Sequence, residues 1–236
     1  MAGVGLLWNS YRRSPLLRAL YLRVIRSRRV AHALFGVDFG PVSADDYYFD
    51  ITTWALARHL RTAMPPGARV VDMGTGAVAA MAQIVAKRTR RRVIAVDVNP
   101  TLAASAEASV RQNAADVRVV CSDLFSSVDE PFDLVLFNPP YVPTREGQRR
   151  GLSPLRQSQW DGGHDGTAVL DRFIAAFRSL PVGTRALVAL NRRHVSRARM
   201  RQLLAESTLA VDAVHSSRLL PVDIYDLRAA GPASGT

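Results

Sequence analysis

The feature that most constrains the fold of this chain is the alternation of short apolar runs with segments of helical periodicity after residue 50. Short apolar runs of this kind are typical of strands that are buried on both faces of a parallel sheet. The runs cover residues 69–73, 92–96, 117–121, 134–137 and 186–190, and helix-compatible segments cover residues 51–62, 77–87, 102–113 and 167–180. Because right-handed crossovers place helices on both sides of such a sheet, the sequence predicts a doubly wound α/β fold.

Two further extended runs lie near the end of the chain, at residues 209–217 and 223–227. Only a few residues, including Pro221, separate them. A connection this short joins antiparallel strands, whereas parallel strands need a long crossover. We therefore expect an antiparallel hairpin that closes one edge of the sheet.

Basic charge is concentrated near the N-terminus. Residues 1–37 hold seven Arg and no acidic residue, and the whole chain has a net charge of +11. Apolar residues between Leu16 and Ile25 recur at helical spacing, which predicts a basic amphipathic helix. Such a helix either docks on the body of the protein or meets an acidic partner such as RNA. The predicted organisation is a basic helical arm (1–37), a main domain (38–228) and a disordered tail (229–236).

The residue inventory excludes several classes of protein. A single cysteine, Cys121, rules out an intramolecular disulfide, and the five histidines show no close metal-ligand spacing, so no metal site is expected. No apolar stretch approaches the roughly 18 residues that a membrane span requires. These features predict a soluble, cytoplasmic protein without a membrane span. Cys121 is expected to be a buried apolar filler, and His194 a surface residue.

Polar residues and glycines follow the first two predicted strands, at the edge where α/β sheets bind ligands. The first strand runs into Asp72-Met73-Gly74-Thr75-Gly76, whose glycines permit a tight turn and close approach of the backbone to a ligand. Asp97 ends the second strand, where a carboxylate accepts hydrogen bonds from ribose hydroxyls in dinucleotide folds. Asp72, Gly74, Thr75, Gly76 and Asp97 therefore indicate a site for an adenosine-containing cofactor.

The third predicted strand is followed by Ser122-Asp123-Leu124. Asp123 and Leu124 are candidates for the adenine side of that cofactor, because a carboxylate at this strand end is placed to accept a hydrogen bond from the adenine amino group. The alternative is that Asp123 caps the segment that follows.

The fourth predicted strand leads into Asn138-Pro139-Pro140-Tyr141. Two consecutive prolines fix φ near −65° twice and offer no N–H, so the loop is stiff and rich in hydrogen-bond acceptors. The Asn138 side-chain oxygen and the Pro139 carbonyl are suited to hold both hydrogens of a planar NH₂ group, and the Tyr141 ring is suited to stack on its plane. We call this segment the acceptor loop and assign it the catalytic role, and Asn138 is also a candidate contact of the cofactor.

The order of these elements resembles class I S-adenosylmethionine-dependent methyltransferases that act on planar NH₂ nitrogens. The segment 130–143 with its NPPY sequence, followed by Asp161-Gly162-Gly163-His164-Asp165-Gly166, is similar to HemK-type protein glutamine N5-methyltransferases, which modify the glutamine of a GGQ motif in peptide release factors. The resemblance covers residues 38–228. It implies a Rossmann-like sheet of seven strands with the last strand antiparallel, S-adenosylmethionine as cofactor, and a protein substrate that carries an acceptor glutamine.

Two features of the sequence depart from this family. Val78 occupies the position of the usual third glycine, and about 68 residues precede the first predicted strand, fewer than in release-factor enzymes with a longer helical domain. Two other acceptors are therefore open: RNA adenine N6, reached through the basic arm, and a small amide-bearing metabolite. A nicotinamide dehydrogenase would share the turn and Asp97 but has no use for NPPY, and a noncatalytic nucleic-acid-binding module would leave the acceptor loop unexplained.

Methyl transfer to an amide nitrogen chiefly requires positioning. Asn138 and the Pro139 carbonyl would accept hydrogen bonds that strengthen as positive charge develops on the nitrogen, so no general base is expected. Residues 162–166 are expected either to fold over the site or to form an ordinary helix entry with Asp165 as its cap. Trp160 either lines the acceptor entrance or packs in the core.

Overall fold

The computed structural model describes residues 32–33, 35–38, 50–207, 209–217 and 220–230. Most of the predicted basic arm and the last six residues of the predicted tail lie outside the described residues. Where residues 1–37 reach the described part, Val37 is buried in the core. Lys87 Nζ donates a hydrogen bond to the carbonyl of Gly36. The junction between the arm and the main domain is therefore packed on that domain.

The described elements alternate between strand and helix as the sequence predicts. The strands are β1 (Val70–Met73), β2 (Val93–Asp97), β3 (Val117–Cys121), β4 (Leu134–Phe137), β5 (Arg185–Asn191), β6 (Ala210–Ser216) and β7 (Val222–Arg228). The α-helices are α1 (Ile51–Ala63), α2 (Ala80–Thr89), α3 (Pro100–Gln112), α4 (Thr144–Arg149), α5 (Gln157–Trp160), α6 (Ala168–Phe177) and α7 (Arg197–Ala205), with a 3₁₀ turn at Pro154–Arg156.

All seven strands form one sheet in the order β3-β2-β1-β4-β5-β7-β6. Neighbours from β3 to β5 pair in parallel, and β7 pairs antiparallel with both β5 and β6. The predicted fold class, including the antiparallel last strand, is confirmed. The prediction of a disordered tail is wrong at its first residue, because Ala229 is buried and its N–H donates to the Thr184 carbonyl at 2.9 Å.

The core lies on both faces of the sheet, because successive side chains of a strand point to opposite sides. On one face, Val70, Val93 and Leu134 pack against α1, α2 and α3. On the other face, their chain neighbours Val71 and Ile94 pack with α6 and α7. Burial on both sides explains why these strands read as continuous apolar runs rather than as alternating patterns.

Strand order corrects the interpretation of Cys121. The sequence predicts that it lies in a buried strand, but β3 is the edge of the sheet and Cys121 is exposed. A short apolar run at an edge looks the same in sequence as one in the middle of a sheet. The expectation that Cys121 is a buried filler is therefore wrong.

Three helices are not predicted by apolar periodicity, because they are short or polar. Helices α4 and α5 have six and four residues, which is too short for a helical repeat to show. Helix α7 is rich in Arg and buries only Met200 and Leu203. Within the described ranges, no helix has the length and apolar character needed to cross a membrane, and no three His, Cys, Asp or Glu side chains are grouped to hold a metal ion.

Candidate active site

A cavity of about 840 Å³ lies at the carboxyl ends of the parallel strands. This volume is within the range of small-molecule and cofactor sites. Its walls contain every residue predicted above for the cofactor and the acceptor: Asp72, Gly74, Thr75, Gly76, Asp97, Asp123, Leu124, Asn138, Pro139, Pro140 and Tyr141. Strand ends that are separated by many residues in the chain thus meet in one place.

The glycine turn after β1 is fastened to the end of β2. Gly74 and Gly76 have φ of +65° and +67°, a region that favours glycine. The Thr75 N–H donates to the Val96 carbonyl at 2.8 Å, and the Gly76 N–H donates to Asp97 Oδ2 at 2.9 Å. Val78 does not line the cavity and is buried in the core beside the turn. The side chain of the residue that replaces the usual glycine therefore points into the core and is not part of the cavity wall.

Asp97 keeps acceptor capacity for a ligand. Oδ2 accepts from Gly76, Oδ1 accepts from the Asn99 N–H at 2.9 Å, and each carboxylate oxygen has a second lone pair. The side chain is largely buried, and this burial raises the pKa of the Asp97 carboxyl. A partly desolvated carboxylate with one open acceptor position on each oxygen fits two adjacent ribose hydroxyls.

Asp72 is buried beneath the same turn. Its Oδ2 accepts from Thr75 Oγ1 at 2.6 Å and from the Ala82 N–H at 3.0 Å, so it ties the turn to the first residues of α2. Burial, with a smaller contribution from the nearby Asp97, raises the pKa of the Asp72 carboxyl to about 7. Asp72 therefore stabilises the turn from inside the protein, and its carboxyl group ionises near neutral pH.

We expect Asp72→Asn to flatten the pH dependence of stability. The folded protein keeps the Asp72 proton up to about pH 7, whereas the unfolded chain releases it near 3.8. The free energy of unfolding therefore falls as pH rises between these values, by at most about 1.4 kcal/mol per pH unit from this group. Asparagine retains one oxygen for Thr75 and Ala82 but does not titrate. Urea denaturation at pH 5, 6 and 7 measures the free energy of unfolding at each pH. The same pH dependence of this free energy in Asp72→Asn and wild type would contradict the prediction.

Just after β3, Asp123 forms an ion pair with Arg172. Its Oδ2 lies 2.5 Å from Arg172 Nη2, and both side chains are about half exposed. Asp123 and Arg172 both line the cavity. The capping role falls to Ser122 instead, whose Oγ accepts from the Ser127 N–H at 2.9 Å. Leu124 adopts φ of +49°, which turns the chain along the cavity wall.

The Asn138 amide is held by hydrogen bonds at its NH₂ end and lacks a described hydrogen-bond partner at its oxygen. Nδ2 donates to Asp50 Oδ1 at 3.3 Å and to Thr53 Oγ1 at 3.1 Å. The other end, Oδ1, is buried and has no hydrogen-bond partner among the described residues. A buried acceptor without a partner is unfavourable in a folded protein, so a donor supplied by a ligand would satisfy it.

Tyr141 is anchored by its hydroxyl and covered by an imidazole. The hydroxyl donates to Asp50 Oδ2 at 2.9 Å and lies 2.8 Å from Thr52 Oγ1. Burial raises the pKa of Tyr141 well above its ordinary value, so it remains a neutral donor. The rings of Tyr141 and His194 stack with centroids 5.7 Å apart. Tyr141 thus joins the acceptor loop to the start of α1.

The prediction that His194 is a surface residue is wrong. It lines the cavity, its side chain is only 10% exposed, and Nδ1 lies 3.3 Å from Glu146 Oε2. Burial lowers the pKa of His194, although Glu146 opposes this. His194 follows β5 by three residues, so inspection of the fifth strand end would have found it. Asp50, Thr53 and Glu146 were also missed, since each lies outside the strand ends.

The Gly-rich segment 162–166 lies beside the acceptor loop, and none of its residues lines the cavity. The Gly162 N–H donates to the Val142 carbonyl and the Val142 N–H donates to the Trp160 carbonyl, both at 2.9 Å. Asp165 Oδ1 accepts from the Thr167 N–H at 3.0 Å, but Thr167 is the N-cap of α6, so the expectation that Asp165 caps this helix is wrong. Of the two alternatives for this segment, the structure therefore shows the one in which it lies beside the cavity and is not folded over it. The segment buttresses the acceptor loop.

Trp160 satisfies both of the alternatives considered for it. It is 4% exposed and packs in the core, yet it also lines the cavity. Its Nε1 donates to the Ser153 carbonyl at 3.1 Å. The indole also covers Gly147, where a Cβ would overlap the ring. Trp160 therefore fixes α4 against the acceptor side of the cavity.

We expect Gly166→Ala to destabilise the protein more than Gly183→Ala. The two glycines have similar φ, +83° and +88°, so alanine is strained equally at both. A Cβ at Gly166 would overlap the Tyr141 carbonyl oxygen, whereas at Gly183 nothing lies within 4 Å. The overlap adds about 1–3 kcal/mol. Urea denaturation of both variants measures the difference, and equal losses of stability would mean that the segment does not press on the acceptor loop.

Comparison with known proteins agrees with this geometry. Residues 43–152 match the family model of the methyltransferase small domain. The chain is 36% identical over 104 residues to a putative protein N5-glutamine methyltransferase of Methanocaldococcus jannaschii, covering 44% of this chain and 50% of that protein. It is 33% identical over 98 residues to a release factor glutamine methyltransferase of Deinococcus radiodurans, covering 40% and 34%. It is 32% identical over 98 residues to a ribosomal RNA small subunit methyltransferase C of Actinobacillus succinogenes, covering 41% and 29%.

The chain thus spans about half or less of the length of these relatives. Among solved structures, a methyltransferase from Pyrococcus furiosus superposes with a TM-score of 0.61 at 18% identity, covering 94% of this chain and all of that one. At this identity, the likeness concerns the fold. Residues 43–152 of the chain therefore match the methyltransferase small domain, and the chain has the Rossmann-like fold of methyltransferases.

Proposed function

We propose that the protein is an S-adenosylmethionine-dependent N-methyltransferase, and that its acceptor is a glutamine side-chain amide of a protein. The observation that carries the proposal is the Asn138 amide. Its NH₂ end is occupied by Asp50 and Thr53, and its buried oxygen has no partner in the described part of the chain. Such an oxygen is suited to an incoming NH₂ group. The names of two relatives, a putative protein N5-glutamine and a release factor glutamine methyltransferase, favour a glutamine amide.

The residues on the cofactor side fit S-adenosylmethionine. The backbone of Gly74–Gly76 lies on the cavity without side chains at the two glycines, and Asp97 offers two open acceptor positions to ribose hydroxyls. When bound, S-adenosylmethionine would supply an electrophilic methyl group: the N–CH₃ bond would form as the S–CH₃ bond breaks, S-adenosylhomocysteine would leave, and one N–H proton would pass to water.

Asn138 performs the main task of the chain in this reaction. A carboxamide nitrogen is a poor nucleophile because its lone pair is delocalised into the carbonyl. As bonding to the methyl group begins, its N–H bonds become more acidic, and the hydrogen bond to Asn138 Oδ1 strengthens. Pro139 and Pro140 keep the loop stiff, so that this oxygen does not need to reorganise during the reaction. Tyr141 anchors the loop through its hydroxyl.

The acceptor is tested by incubating the full chain with tritiated S-adenosylmethionine and three separate pools. These are a purified release factor with a GGQ glutamine, total ribosomal and transfer RNA from unmodified cells, and a low-molecular-weight cell extract. Label in the release factor that disappears when the GGQ glutamine is replaced would support the proposal.

Label in RNA only would favour adenine N6 as the acceptor, the alternative that the similarity to a ribosomal RNA methyltransferase raises. RNA binding through the arginines of residues 1–37 would then fall steeply with salt, as phosphate contacts require. Label only in the small-molecule pool would support the proposed methyl transfer but would contradict a protein glutamine as the acceptor.

A further inference from the structure

We propose that Asp50 is a positioning residue, which sets the direction in which the Asn138 amide faces. The inference deepens the function proposed above and rests on it for its catalytic consequence. Asp50 lies 88 positions before Asn138 in the chain, directly before α1, and lines the cavity. Neither a strand end nor the acceptor loop includes it.

The orientation of an asparagine amide follows from its partners, because its two ends differ only in donating or accepting. Asp50 Oδ1 is a carboxylate oxygen and accepts only, so the Asn138 atom that faces it at 3.3 Å must be the NH₂ group. Thr53 Oγ1 accepts the second hydrogen at 3.1 Å. With both donors occupied, Oδ1 is left as the acceptor for a ligand.

Asp50 is itself held on several sides. Oδ1 accepts from the backbone N–H groups of Thr52 and Thr53 at 3.0 and 2.7 Å, which makes Asp50 the N-cap of α1. Oδ2 accepts from the Tyr141 hydroxyl at 2.9 Å. One carboxylate thus joins the start of α1 to both the first and the last residue of the NPPY sequence. A side chain fixed in this way imposes its geometry on the amide.

Loss of this contact would free the Asn138 amide to rotate by half a turn. Its NH₂ group would then meet the NH₂ group of the acceptor, and two donors facing each other form no hydrogen bond. The acceptor loop would keep its backbone, since Pro139 and Pro140 remain, but its active oxygen would point away for part of the time. The expected result is a fall in kcat with little change in cofactor affinity.

The test compares Asp50→Ser with Asp50→Asn in the full-length protein. Serine also caps helices but is too short to reach Asn138 and Tyr141 as well, whereas asparagine offers an oxygen at nearly the same position. With a GGQ release factor as the methyl acceptor, we expect kcat to fall about 10- to 100-fold in Asp50→Ser and less than about 5-fold in Asp50→Asn. We expect calorimetry to give the same dissociation constant for S-adenosylmethionine within about twofold.

Two neighbouring threonines supply a matched control that does not depend on the cap. Thr53→Val removes the second acceptor of the Asn138 NH₂ group and should lower kcat about 3- to 10-fold. Thr52→Val removes only a partner of the Tyr141 hydroxyl, and kcat should stay within about twofold of wild type. Equal effects of the two changes, or full activity of a folded Asp50→Ser, would overturn the inference.

A measurement without any acceptor separates this inference from the proposed function. In ¹⁵N spectra, the Asn138 side-chain NH₂ signal is identified by its absence in Asn138→Ala. We expect its hydrogen exchange to be slow in wild type and Thr52→Val, and faster in Asp50→Ser and Thr53→Val. Unchanged exchange in Asp50→Ser would refute the inference. An Asn138→Ala variant that transfers methyl groups at the wild-type rate would refute the proposed function instead.

Discussion

Asn138→Ala is expected to lower the rate of methyl transfer by about 10² or more, while the dissociation constant for S-adenosylmethionine stays within about twofold. The Asn138 oxygen is buried, lacks a partner among the residues described and lies on the acceptor loop, so under the proposed function we expect it to contact the methyl acceptor rather than the cofactor. Removal of one preorganised transition-state partner reduces turnover by about 10²–10³, or roughly 2.7–4 kcal/mol.

The measurement is single-turnover transfer from labelled cofactor to whichever acceptor pool takes up label, with calorimetry for cofactor binding. Asn113→Ala is a suitable control, because Asn113 forms hydrogen bonds to the backbone of Asp38 and does not line the cavity. If folded Asn138→Ala transfers methyl groups as fast as the control, the assigned role of the acceptor loop fails. If it also loses cofactor affinity by a decade, Asn138 belongs to the cofactor site.

Asp97→Ala should weaken the binding of S-adenosylmethionine by about one to two decades. Charge-assisted hydrogen bonds to two ribose hydroxyls account for about 1.5–3 kcal/mol. The same change removes the acceptor of the Gly76 N–H at 2.9 Å, so the glycine turn loses its attachment to the end of β2. Asp97→Asn retains one oxygen without the charge, and we expect an intermediate loss of affinity.

Calorimetry of the folded variants tests this prediction. Asp116→Ala serves as the control, because Asp116 precedes β3 at the opposite end of the sheet and forms an exposed ion pair with Arg92. Affinity in Asp97→Ala equal to that of the control would remove Asp97 from the cofactor site. A loss in Asp97→Ala with none in Asp97→Asn would instead assign the effect to the glycine turn.

The strands, the glycine turn and the acceptor loop could be predicted from the sequence because each is encoded locally. A parallel strand buried on both faces needs four or five consecutive apolar residues, and such runs are visible without knowledge of strand order. Gly74 and Gly76 adopt positive φ in the structure, as a tight turn requires. The rule that ligands bind at the carboxyl ends of parallel strands then placed Asp97 and Asn138 at one edge.

Only the tertiary structure determines which residues surround the acceptor loop. Asp50 meets Asn138 only because α1 packs so that its first turn faces the acceptor loop, and no pattern near Asp50 marks that contact. His194 stacks on Tyr141 because β5 lies beside β4, and Cys121 is exposed because β3 is the outermost strand of the sheet that the described residues form. Apolar periodicity and turn chemistry act over a few residues. The sequence by itself therefore determined the strands, most of the helices and the candidate binding residues at the strand ends. Contacts between distant residues depend on strand order and helix packing, and these decided which side chains hold the acceptor loop in place.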